Sequence, residues 1–182
     1  TKPETTSTTV VTTTSPPTTV VEATTTTVDP SLIISGTFSP PFTMRAPEGT
    51  SLVLGVASPT YRDWGGPNNA WLIFHRFPRT IEGWAGILSD AGATPADPVD
   101  VTIGGMPARM VEGSTSGSVM VVPNDTAAAL PGFLLQSTDT ARIYIVDIDG
   151  TMVTIFGVSS IEDFEEWAAV VEETLATLEW TG

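Results

Sequence analysis

The chain has 182 residues, 41% of them hydrophobic, with a formal net charge of −14 and no cysteine. Length and apolar content suit one domain with a real core plus an added segment, and the missing cysteines exclude disulfides, thiol nucleophiles and zinc–thiolate centres. After residue 30, six arginines face eighteen carboxylates, a surface that repels phosphate backbones and anionic membranes; this argues against nucleic-acid binding and leaves solubility, or a basic partner, as the meaning of the charge.

Residues 1–30 carry fourteen threonines among the first 27 positions, with prolines at 3, 16 and 17. The run has no large side chain to bury, so it is expected to be disordered, a Thr/Pro-rich stalk with a domain over 31–182 behind it. A stalk implies display on a cell envelope or secretion, hence an extracytoplasmic location. The opening TKPETTSTTV lacks the apolar centre of a signal peptide, so any signal or anchor is expected upstream. No apolar run is long enough for a membrane-spanning helix.

From Ser31 onward the pattern changes. FTMRA (42–46), SLVLGVASP (51–59) and AWLIFHRF (70–77) read as strands. A helix follows over about 80–91, capped by Thr80 and ended by Gly92, with Ile81, Trp84, Ala85 and Leu88 on one stripe. VDVTIGG (99–105) turns at Gly104-Gly105 into MPARMVEG (106–113). SVMVV (118–122) and FLLQS (133–137) are further strands. ARIYIVDI (141–148) and TMVTIFGVS (151–159) form a hairpin through Asp149-Gly150, a pair suited to a type I′ turn. The last element is a helix with Ser159 and Glu162 as a capping box and Phe164, Trp167, Ala168, Val171, Leu175 and Leu178 on one face. Glu162, Asp163, Glu165, Glu166, Glu172 and Glu173 lie opposite, towards water. Tight hairpins and few helices predict an α+β fold, a mainly antiparallel sheet of about six to eight strands covered by two helices.

IGGMPARMVEG, then ARIYIVDIDGTMVTIFG, then SIEDFEEWAAVVEETLATLEW is an order of motifs that resembles a family of exported actinobacterial domains without an assigned activity. The order of elements is similar to PsbP-like and LpqN-like α/β/α sandwiches, over roughly residues 38–180. The resemblance implies a PsbP-like sandwich with accessory or binding roles. It implies turns and packing and carries over no catalytic residue.

Chemistry-bearing constellations are sparse. His75 is the sole histidine, which excludes multi-histidine metal sites, and no G-x-S-x-G motif accompanies it. Asp147 and Asp149 share a strand face but lack the further ligands of a calcium loop, so they read as turn residues. No cofactor or metal site is expected. Asn124-Asp125-Thr126 matches the glycosylation sequon, a short pattern of little weight. The segment YRDWGGPNNAW (61–71) stands out: Gly65-Gly66-Pro67 marks a loop. Trp64, Arg62, Asp63, Asn68 and Asn69 would line its contact surface, with Trp64 as anchor; the alternative is a Trp folded onto the core. The functional expectation is a non-catalytic binding or accessory module for an envelope protein, glycan or lipid. The alternative is a hydrolase with a site built from Asp, Ser and Arg.

Overall fold

The computed structural model describes residues 32–34, 36–48, 50, 52–122 and 132–181. The stalk, the boundary at Ser31 and the sequon at Asn124 lie outside the described residues.

A seven-stranded antiparallel sheet forms the middle layer. Its strands are β3 (Val53–Ala57), β4 (Tyr61–Gly65), β5 (Trp71–His75), β6 (Val99–Ile103), β7 (Met106–Ser114), β10 (Asp139–Ile148) and β11 (Thr151–Ser160). The order across the sheet is β3-β4-β5-β11-β10-β7-β6. The central hairpin β10–β11 pairs from Asp139↔Ser160 to Ile148↔Thr151 and turns where Asp149 and Gly150 take φ of 50° and 82°, as the Asp-Gly pair requires. The Asp147 carboxylate caps that turn by accepting from the Gly150 N–H at 2.7 Å. Gly104 and Gly105 also have positive φ, and that turn sets Asp100 opposite Arg109.

Each face of the sheet has its own cover. On one face lie α2 (Phe164–Ala176) and a small sheet of β1 (Leu32–Ile34), β2 (Phe42–Arg45) and β12 (Glu179–Trp180). Phe42, Trp64, Phe74, Val146, Ile155, Trp167 and Leu175 pack there. On the other face lie α1 (Ile81–Asp90) and the hairpin of β8 (Val119–Val122) and β9 (Phe133–Leu135). Tyr61, Ile73, Trp84, Leu88, Ile143 and Phe156 pack there. The result is the α/β/α sandwich with two helices expected from the sequence. β10 and β11 are buried on both faces, which is why their sequences are nearly continuous apolar runs rather than alternating ones.

The α1 expectations hold: the Thr80 hydroxyl accepts from the Gly83 N–H at 3.3 Å, and Ile81, Trp84 and Leu88 are buried. So does the apolar face of α2. Its cap differs from the expected box. Ser159 remains in β11, and Asp163 is the N-cap residue, without a side-chain cap bond. Ser160 meets Asp163 instead, its hydroxyl donating to the carboxylate at 2.9 Å. The strand takes in Ser159 because its ladder with β10 extends to Ser160. The helix also stops at Ala176, and the tail turns back as β12 beside β2.

Candidate functional site

The segment around Trp64 is not a loop. Tyr61–Gly65 is β4, paired along its length with β5 and with β3 on its other side. The break occurs later: Gly66 and Pro67 open a 3-10 turn, Pro67–Asn69, where Asn68 and Asn69 take φ of 53° and 57°. Trp64 is 3% exposed and packs edge-on against Phe42 and Phe74. It is core, and the anchor role assigned to it is corrected. Arg62 is buried over the Trp64 ring, 5.5 Å from its centroid, and burial lowers its pKa from the usual arginine value. Asp63 is buried on the opposite face. The polar residues of β4 suggest a surface loop because the neighbours that bury them come from elsewhere in the fold. Of the five expected contact residues, only Asn68 and Asn69 are exposed, and the structure does not bring them together with Trp64, Arg62 and Asp63 as one surface.

A buried polar row crosses the sheet under α1. Tyr61, His75 and Thr154 are register partners on β4, β5 and β11. The Asp63 carboxylate accepts from the Tyr61 hydroxyl at 3.0 Å and from the Val56 N–H at 2.5 Å. Burial, then the neighbouring Asp63, pushes the Tyr61 hydroxyl pKa up. Burial holds the His75 imidazole down at about 4, and its ring stacks on Phe77. Neither His75 Nδ1 nor Thr154 Oγ1 has a hydrogen-bond partner among the described residues. At neutral pH this is an uncharged imidazole in a packed wall.

The open site lies at the end of that row. A groove of about 580 Å³ runs between the start of α1 and the ends of β6, β7, β10 and β11. Ile81, Pro107, Ile145 and Met152 make its floor apolar, while Glu82, Asp100, Arg109 and Asp147 give it a charged rim. Arg109, on β7, is the hub: its guanidinium donates to Glu82 of α1 and lies 3.6 Å from Asp100 of β6. The Glu82 carboxyl is held below its ordinary range by its own backbone N–H and by Arg109. Such a cleft, apolar inside with a few polar groups at the mouth, is the common form of a small-ligand site. Arg109 stands in no chemical motif of the sequence. A signal was present, because the Gly104-Gly105 turn fixes Asp100 opposite Arg109, but the contribution of Glu82 depends on how α1 lies across the sheet.

A second, smaller recess of about 90 Å³ sits on the other face, at the head of α2, and includes Asn68 and Ser159.

No family model matches the chain and no curated protein matches it. Among solved structures, the fold is similar to that of LpqN, involved in cell envelope biogenesis of Mycobacterium tuberculosis, at 15% identity over 78% of this chain and 83% of that one, with a TM-score of 0.47. It is also similar to cyanobacterial PsbP (CyanoP) from Synechocystis, at 11% identity over 77% of this chain and 86% of that one, with a TM-score of 0.42. These are likenesses of fold alone.

Proposed function

We propose that the domain is a non-catalytic extracytoplasmic binding module that takes the apolar tail of an envelope amphiphile into the groove beside the start of α1. The observation that carries this reading is the division of the groove itself, an apolar floor of Ile81, Pro107, Ile145 and Met152 under a charged rim. An amphiphile has the same division. A glycan would call for aromatic platforms and amides, and the lining contains neither. The hydrolase alternative needs a base within reach of a nucleophile. The sole histidine is buried, uncharged at neutral pH and absent from the groove lining, and no serine is among the lining residues described.

The test is a titration of the isotope-labelled chain with decanoate, decanol and decyltrimethylammonium, each below its aggregation concentration. Saturable amide shifts confined to 80–82, 100–109 and 145–152 are expected. Met152→Trp fills the floor and should weaken binding by about tenfold or more, with the melting temperature little changed because Met152 is only half-buried. No saturable shift with any of the three probes would reject the reading.

A further inference from the structure

The recess at the head of α2 lies across the sheet from the groove and has a different lining. It is lined by Asn68, Ser159, Asp163 and Glu166, with apolar walls from Pro67, Trp167 and Val170. Its frame is rigid. The Gly66 N–H donates to the Ala70 carbonyl at 2.8 Å, closing the 3-10 turn. The Trp167 indole N–H donates to the Trp71 carbonyl at 3.2 Å, tying α2 to that turn. A side chain on Gly66 would begin 2.5 Å from the Trp167 ring, so only glycine allows the approach.

Ser159 sets this recess apart from an ordinary acidic surface. Alternation along β11 puts it on the same face as Val153, Ile155 and Gly157, towards α2. It is 1% exposed, and its Oγ has no hydrogen-bond partner among the described residues. A buried hydroxyl left unmatched costs stability, so its place beside two carboxylates points to a group that completes it.

The chemistry of the lining selects that group. Asp163, Glu166 and Ser159 offer acceptors and repel an anion. Two carboxylates, a hydroxyl and an amide reach the six oxygens of a calcium site only if both carboxylates bind through both oxygens, and one Asp163 oxygen already accepts from the Ser160 hydroxyl. A primary ammonium has three donors and no acceptor, and an aliphatic stem behind it would lie along Pro67, Trp167 and Val170. The volume of about 90 Å³ exceeds what one water needs and is far below a drug-sized pocket, as suits the tip of a side chain. Next in sequence to the lining residues stand exposed Glu162 and Glu165 and Ile161, which is 53% exposed, on a chain of net charge −14. That setting is complementary to a basic polypeptide.

We propose that the recess receives the ammonium of a lysine side chain presented by a basic partner polypeptide. The experiment titrates the isotope-labelled full chain with a blocked alanine pentapeptide bearing one central lysine. The same peptide with norleucine in place of lysine, n-butylammonium and calcium ion are titrated in parallel. Saturable shifts at the Asn68 and Ser159 amides and the Trp167 indole N–H are expected with the lysine peptide and absent with norleucine. Ser159→Ala and Glu166→Gln should each weaken that binding by about five- to tenfold. Unchanged melting temperatures would show that these losses are not unfolding. Equal binding of the norleucine peptide, or no saturable shift with lysine, would overturn the proposal. Calcium binding at the same residues would make the recess a metal site, and n-butylammonium binding as tightly as the peptide would make it a site for free amines. If Lys2→Ala alone moves these signals before any peptide is added, the occupant is the chain's own lysine and the partner falls away.

Discussion

Two arginines perform the same bridging task on opposite faces of the sheet, with different surroundings. Arg142 of β10 joins Glu112 of β7 to Glu172 of α2, donating to Glu112 from Nε at 2.8 Å and from a terminal nitrogen at 2.6 Å. Its side chain is 14% exposed and lies over the Phe164 ring. Arg109 of β7 joins Asp100 of β6 to Glu82 of α1, but its side chain is 44% exposed and its partners 64% and 93%. Where α2 and the small sheet β1-β2-β12 cover the middle layer, the Phe164 ring shelters the arginine and Glu112 is 30% exposed, although the Glu172 end is 59% exposed. On the opposite face the groove stays open and the bridge stands in solvent. Both faces have buried cores; they differ in that the α1 face leaves its bridge at the mouth of the larger groove.

The strongest way to break this comparison is to hollow out the α2 face. Trp64→Ala should cost about 3–5 kcal/mol and Leu175→Ala about 2–5 kcal/mol, because both side chains are almost fully buried in one cluster. Urea unfolding measures both. A loss under about 1 kcal/mol for Trp64→Ala would mean that its ring is not part of the core.

Much of this architecture is legible in the sequence, and the misses have physical causes. Hairpins announced by Asp149-Gly150 and Gly104-Gly105 are local events, since the φ > 0 requirement selects the residues. Both helices have stripes that survive without tertiary knowledge. β4 does not, because Tyr61, Arg62 and Asp63 look like solvent residues until the layers packed on the two faces of the sheet bury them. β1 and β12 are very short strands that exist through pairing with β2, a long-range contact no local pattern encodes. The groove has no local signature for the same reason: its rim converges from three strands and a helix.

The α1 face should reveal its buried histidine in acid. The His75 pKa is held at about 4 by burial, against an ordinary 6.5, so the unfolded chain takes up the proton first. Stability from this residue is fully present above about pH 6.5 and is lost as pH falls through about 4, roughly 3 kcal/mol in all. His75→Gln should therefore lose less stability than the parent chain between pH 7 and pH 4. Tyr61 and Asp63 face the same side and stay in place in both chains, so the difference isolates the imidazole. Equal acid sensitivity would mean that His75 is protonated within the fold.

The two bridges then separate by size. Arg142→Ala should cost about 1–3 kcal/mol, since it strands the half-buried Glu112 and removes the contact with Phe164.

Arg109→Ala should cost less than about 1 kcal/mol, the range of solvent-exposed ion pairs. Its effect belongs to the groove instead. With Arg109 present, the rim sets one guanidinium against Glu82, Asp100 and Asp147; without it, three carboxylates stand unopposed. The apolar floor is untouched, so decanol should bind much as before. Decanoate loses its one cationic neighbour and should weaken, while decyltrimethylammonium gains and should tighten. The measurement is the ratio of the two affinities in parent and variant at low ionic strength, where exposed charges are least screened. A ratio that does not move would place the bound headgroup away from the rim. If all three probes weaken together, Arg109 shapes the groove by tying α1 and β6 in position.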